Sequence, residues 1–174
     1  MTKYRNTLLH SFCLGILLAG FSAITNAQMY VPVLTDFQKA QKAFSAGEHK
    51  KANYYYASIL LSEPENVEAR YGLARSYYYL QNIERALSEL DKVFKINPYH
   101  EKSMMLRANI NLKQQNWDWL LEDAEALIQL NPLNEQAYRF MDAAYTALGD
   151  EVAAKAALKR YKKIKTTAKK SLGK

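Results

Sequence analysis

Val67-Glu-Ala-Arg-Tyr-Gly-Leu-Ala-Arg-Ser-Tyr77 and, after a short polar break, Asn82-Ile-Glu-Arg-Ala86-Leu-Ser-Glu-Leu90-Asp-Lys-Val93-Phe-Lys-Ile-Asn-Pro98 hold two helical patterns in succession. Tyr71, Leu73, Ala74, Tyr77 and Tyr78 gather on the first, and Ala86, Leu90, Val93 and Phe94 recur at steps of three and four on the second. Each helix therefore has an apolar stripe to bury. The same design returns on either side: Pro64, Pro98 and Pro132 lie 34 residues apart, and Ala52, Ala86, Leu120 and Ala154 keep the same step. A fixed period of this length marks an internal repeat, whose units must stack because none can bury its face alone.

The register divides the chain into units 33–66, 67–100, 101–134 and 135–168, followed by a basic tail at 169–174. In the first unit Gly47-Glu48 forms the break, and Ala52, Tyr56 and Ile59 share a face. Its first helix is more polar, with Asp36 and Lys39 in slots that are more apolar elsewhere. A terminal repeat has one neighbour only, so polar residues on its outer side are expected. Asn82 and Asp150 are expected to cap second helices, their side chains accepting from open amides of the first turn. Trp117 is expected to pack at a helix start, Trp119 to be partly buried, and Tyr54 and Tyr55 to face outward with Tyr56 in the core. Asn111 and Asp142 fall in slots held by tyrosine and alanine in sister units. Each is expected to be solvated or hydrogen-bonded, because an unpaired buried polar group costs about 1 to 3 kcal/mol.

Residues 1–27 have the pattern of an export signal. Lys3 and Arg5 give a positive start, Phe12 to Ile24 is mostly apolar, and Thr25-Asn26-Ala27 supplies small residues before Gln28. The apolar run is shorter than the roughly 20 residues that span a bilayer. Cleavage and a periplasmic location are expected; the alternative is an uncleaved anchor in the inner membrane, since Asn6 to Thr35 holds no charged residue. The one cysteine, Cys13, lies inside this segment. Cleavage would leave no thiol for a disulfide or a metal. Charge is uneven beyond it: Gln28 to Ala154 carries 13 Lys/Arg against 17 Asp/Glu, whereas Lys155 to Lys174 carries nine Lys/Arg and no acid.

A 34-residue helix-turn-helix unit with Leu73-Ala74, Tyr77, Ala86, Leu90, Val93 and Pro98 at these spacings resembles the tetratricopeptide repeat family. Three in-register prolines and two Gly-acid breaks, Gly47-Glu48 and Gly149-Asp150, strengthen the likeness. It implies an all-α, right-handed superhelix of about four stacked units over residues 28–168. In the family the first helices line a concave groove that holds an extended peptide or a partner helix. Carried over by register, the groove here presents Phe37, Gln41 and Phe44, then Tyr71, Arg75, Tyr78 and Tyr79, then Met105, Asn109 and Leu112, and Arg139 from the fourth unit. Some family members grip a partner's terminal carboxylate with Lys and Asn. The matching places hold Phe37, Gln41, Gly72, Lys102 and Leu106, and of these Lys102 alone fits, so that mode is not expected.

An aromatic, methionine-containing lining suits protein segments, because tyrosine offers area with little rotamer entropy to lose and methionine repacks readily. The basic end admits two readings: Lys155, Lys159, Arg160, Lys162, Lys163 and Lys165 form either a soluble face on the closing helix or a surface for anionic lipid, lipopolysaccharide or an acidic partner. Nucleic acid is not expected as a partner of an exported chain. No catalytic residue, cofactor or metal is assigned. His49 and His100 belong to no HExxH-like pair, and neither a phosphate-cradling glycine loop nor a G-x-S-x-G turn occurs. Glu122, Asp123 and Glu125 are expected on the solvent side of a helix. The functional expectation is a non-catalytic scaffold or adaptor of the bacterial cell envelope. It would serve a pilus, secretion, outer-membrane or polysaccharide-export machine, with surface association through the basic helix, as a homo-oligomer or otherwise, as the alternative.

Overall fold

A computed structural model describes residues 34–172; the expected export signal lies outside them. Among the described residues eight helices follow in order: α1 (Asp36–Ser45), α2 (His49–Ser62), α3 (Val67–Tyr79), α4 (Ile83–Ile96), α5 (Glu101–Gln114), α6 (Trp117–Leu130), α7 (Glu135–Leu148) and α8 (Glu151–Leu172). Each helix packs on the next, and the first helices of successive units also touch: α1 with α3, α3 with α5, α5 with α7. An all-α repeat solenoid results, with the odd-numbered helices side by side.

Two kinds of turn, repeated at the 34-residue step, produce this arrangement. Within a unit the first helix closes on a residue at positive φ: Gly47 (76°), Gln81 (59°), Gln115 (60°) and Gly149 (80°). After each of these, the next amide reaches back five residues: Glu48 to Ala43, Asn82 to Tyr77, Asn116 to Asn111 and Asp150 to Tyr145, all at 2.9 Å. This is the Schellman closure, in which a left-handed residue lets the last carbonyls find donors. Asn82 and Asp150 then cap the second helices as expected, accepting from the amides of Arg85 (3.2 Å) and Ala153 (2.9 Å). Between units the helix stops two residues before each proline, because the residue before proline is pushed out of the helical region. Asn66 and Asn134 accept from the Ala69 and Ala137 amides to start the next helix.

Glutamine pays a steric penalty in the left-handed region that glycine avoids, on the order of 1 kcal/mol, partly offset by glycine's larger entropy loss on folding. We expect Gln81→Gly and Gln115→Gly each to raise stability by about 0.5 kcal/mol, read as a higher urea midpoint at unchanged slope. A loss in both variants would show that the glutamine side chains, not the turn geometry, hold these positions.

The core runs through the stack as three clusters, each joining neighbouring units. Ala40, Ala52, Tyr56 and Leu73 lead the first; Ala74, Ala86, Leu90 and Ile110 the second; Ala108, Leu120, Leu127 and Phe140 the third. Alanines with no exposed surface, among them Ala40, Ala74 and Ala108, sit where helices approach closely. Tyr56 is buried while Tyr54 is exposed, and Trp117 packs on the third cluster. Trp119 departs from expectation, with 59% of its surface exposed at the first turn of α6. Asp36 and Lys39 pair with each other at 2.8 Å on the outer unit.

A second departure concerns the α6 carboxylates. Glu122 and Glu125 are exposed, but Asp123 is wholly buried. It accepts from Arg107 (Nη2 at 2.6 Å, Nε at 2.8 Å) and from the buried amide of Asn111 (3.0 Å). Burial pushes the Asp123 carboxyl up from the ordinary aspartate range, against the lowering by Arg107 and Asn111. Glu89, one repeat earlier, makes the same kind of pair with Arg70 at 2.8 Å. Asn111 thus has a partner, and Asp142 keeps partial contact with solvent.

Candidate functional site

The row of first helices carries two adjoining hollows, of about 370 and 740 Å³. Phe37, Gln41 and Phe44 of α1 line the smaller; Tyr78 and Tyr79 of α3 with Met105 and Asn109 of α5 line the larger; Tyr71, Arg75 and Lys102 line both. Nine of the eleven residues expected along the groove therefore lie around these hollows. Leu112 instead packs against the third core cluster. Arg139 turns toward α8, its guanidinium 6.0 Å from the Tyr161 ring centre.

Aromatic contacts fix the lining. Phe44 meets Tyr79 edge-on at 5.3 Å, and His49 stacks on Tyr79 at 4.8 Å. The Arg75 guanidinium lies 4.0 Å from the Phe44 ring centre and 5.5 Å from that of Tyr71. Such arrangements restrict a cation without consuming its in-plane donors. On the floor, Glu68 accepts from Lys102 (3.1 and 3.2 Å) and lies 3.3 Å from His100 Nε2, whose other ring nitrogen meets Ser103 Oγ at 2.7 Å. Partial burial pushes the Glu68 carboxyl up, but hydrogen bonds from Lys102 and His100 outweigh it and leave the group below the usual glutamate range. Burial raises the Tyr71 hydroxyl, so it stays a neutral donor. The site can therefore offer aromatic faces, one stacked guanidinium and several neutral hydrogen-bonding groups. The Ser103 hydroxyl that meets His100 belongs to a residue with no exposed surface, so it is not presented to the hollows.

Lys155, Lys159, Arg160, Lys162, Lys163 and Lys165 all lie on the exposed face of α8, with Ala154 and Ala157 buried opposite. Lys155 pairs with Glu151 at 3.0 Å, and Lys165 donates to the Tyr161 hydroxyl at 3.1 Å. A hollow of about 560 Å³ opens between α8 and the start of α7, lined by Leu133, Tyr138 and Ile164 with Arg160 and Lys163 at its side. Among the described residues no helix is long and apolar enough to cross a membrane.

Sequence reasoning missed two parts of the site. One is the Glu68-Lys102-His100 group, for which a signal existed: Glu68 and Lys102 hold the same repeat position one unit apart with opposite charge. The other is Gly72, against which the buried Tyr56 ring rests; nothing in the local pattern announced it.

Residues 43–110 match the family model described as tetratricopeptide repeat, and residues 98–174 match the one described as bacterial transcriptional activator domain. Sperm-associated antigen 1 of Mus musculus is 26% identical over 99 residues, which cover 57% of this chain and 11% of that protein. The chain thus spans about a tenth of the length of the curated relative it matches. The solved structure of MamA residues 41 to the end, from Desulfovibrio magneticus RS-1, is similar at 24% identity, covering 72% of this chain and 71% of that one, with a TM-score of 0.66. The first TPR of Spaghetti (RPAP3), bound to the HSP90 peptide SRMEEVD, is similar at 22% identity over 66% of this chain and 93% of that one, TM-score 0.62. These structures share the fold. The matched tetratricopeptide repeat model covers residues 43–110, and the 34-residue register and the stack of helix pairs carry the same repeat design on through residues 36–172.

Proposed function

We propose that this chain is a non-catalytic interaction scaffold that captures a segment of a partner protein across α1, α3 and α5. The observation that carries this reading is the pair of adjoining hollows, lined by aromatic side chains and Arg75, on the side where first helices lie together. Tyrosine and arginine are the residue types on which binding energy concentrates. The neighbouring fold seen with a bound peptide supports the mode. The amino-terminal pattern of Lys3, Arg5 and the apolar run supports export to the periplasm, and with it a role in assembling an envelope complex such as a pilus, secretion, outer-membrane or polysaccharide-export machine. The exposed cations of α8 favour a second reading, association with an anionic surface.

In-cell crosslinking of the tagged protein separates the two. We expect Arg75→Ala, Tyr79→Ala and Asn109→Ala together to reduce recovery of the enriched partner about tenfold or more, with the circular dichroism melt unchanged. Recovery untouched by that variant but lost in Lys159→Gln, Lys162→Gln, Lys163→Gln would overturn the groove reading in favour of the basic helix.

A further inference from the structure

Four cations along the first helices are matched by carboxylates: Lys39 by Asp36, Arg70 by Glu89, Lys102 by Glu68 and Arg107 by Asp123. Lys113, against the Tyr78 ring, and Arg139, against that of Tyr161, have none among the described residues and line neither hollow, whereas Arg75 lines both. Among the described residues its guanidinium has no carboxylate within 4.0 Å, although its side chain is half-buried between Phe44 and Tyr71. A guanidinium carries its five N–H donors in its plane, and contact with aromatic rings at these distances supplies none of them with an oxygen acceptor. These donors belong to one of the three residues shared by both hollows, the others being Tyr71 and Lys102.

The surrounding acids do not compete for it. Glu68 is engaged by Lys102 and His100, and Glu101 accepts from Asn134 at 3.1 Å. Asn109 donates to the Met105 carbonyl at 2.7 Å, which leaves its side-chain oxygen as an acceptor. A carboxylate entering the groove would meet an uncompensated cation without breaking an existing pair, whereas a basic segment would be repelled. Hollows continue on both sides of Arg75, so a chain can pass in either direction. The group that fits is an internal side chain rather than a chain end.

We propose that the partner segment is an extended acidic peptide, with one internal Asp or Glu carboxylate paired edge-on to Arg75 and a neighbouring apolar side chain against Tyr78 and Met105. This rests on the groove reading above and goes further by assigning the chemistry it selects. Charge-assisted bidentate pairs of this kind are the strong class of hydrogen bond, and their planar geometry suits arginine rather than lysine.

The test is selection of random dodecapeptides, displayed with flanking linkers at both ends, on the full-length protein and on its Arg75→Gln variant. We expect the wild type to enrich a single Asp or Glu position beside an apolar one, and Arg75→Gln to lose the acidic preference while keeping the apolar one. The best synthetic peptide should weaken at least about tenfold when its acid is changed to the amide, or when Arg75→Gln or Arg75→Lys is introduced. The peptide change and Arg75→Gln together should weaken it no further than either alone. Enrichment without an acidic position, or an acidic preference that survives Arg75→Gln, overturns the assignment and leaves the groove reading standing. No enrichment above an unrelated protein overturns both. A matched thermal melt for Arg75→Gln excludes loss of fold as the cause.

Discussion

Asp123→Ala should lose about 3 to 5 kcal/mol of stability, measured as the change in urea unfolding free energy, although it removes one small carboxylate that lines neither hollow. The cost arises from what is left behind. Arg107, a quarter exposed, loses the acceptor of two hydrogen bonds, and the buried Asn111 amide loses its partner. Breaking one side of a buried ion pair costs this much because the remaining charge stays out of water uncompensated. Replacing the group as a whole should be far milder: Asp123→Leu with Arg107→Met and Asn111→Leu should lie within about 2 kcal/mol of wild type, since buried ion pairs are commonly replaceable by packed apolar groups. The fourth unit supplies an internal precedent, with Ala157 buried at the register position of Asp123. Removing only the cation gives an independent check. In Arg107→Met nothing opposes burial as strongly, so Asp123 has a folded pKa above its unfolded one. A raised folded pKa means stability that is full below the unfolded value and is lost as pH rises through the folded value. The variant should therefore weaken from acid toward neutral pH more steeply than wild type. A loss below 1 kcal/mol in Asp123→Ala would mean that water reaches Arg107 and Asn111 and that the pair is not a buried one.

The repeat made most of the fold legible, because its signals are local. Prolines two residues past helix ends, asparagine caps and small residues at close approaches each act within one turn of chain, and the 34-residue register multiplies them. The left-handed glutamines at 81 and 115 could have been read from the same register, as they align with Gly47 and Gly149. Asp123 reads as outward because it sits between Glu122 and Glu125, and a run of acids has the pattern of a solvated face. Its register partner Ala157 was the better guide, since a position that is apolar in one unit tends inward in all. The groove was legible as a set of first-helix positions, which placed nine residues around the hollows. Leu112 packs against the third core cluster and Arg139 reaches toward α8, because which side of a helix faces the hollow depends on how neighbouring units turn against each other. The Glu68–Lys102 pair could have been read from opposite charges one register step apart, whereas the want of a carboxylate beside Arg75 among the described residues is a property of three-dimensional proximity that no single stretch encodes.

Gly72→Ala should destabilise the chain by about 2 kcal/mol, against the direction that helix propensity alone would give. In the interior of α3 alanine is favoured over glycine by up to about 1 kcal/mol, so the unfavourable part must exceed that. It comes from Tyr56. A Cβ at Gly72 would fall 2.5 Å from Tyr56 Cε1 and 2.7 Å from Cε2, with Cζ also in collision. The ring is 3% exposed and meets Phe37 edge-on at 6.0 Å, so it has little room to swing aside. Inserting a carbon into a packed core of this kind costs about 1 to 3 kcal/mol and occasionally more. Tyr56→Phe should give no relief, because the colliding carbons remain. Tyr56→Leu should be destabilising alone, but adding Gly72→Ala to it should cost nothing further. That coupling of about 2 kcal/mol in a double-mutant cycle identifies the contact, since independent sites would add. Both residues also floor the smaller hollow. Displacing the ring in Gly72→Ala should therefore weaken capture of the acidic peptide even where the protein remains folded, while Gly149→Ala, with open space around its Cβ, should lower stability and leave affinity unchanged. Equal stability of Gly72→Ala and wild type would mean that the ring moves freely, and the floor of the groove would then be soft rather than set by the fold.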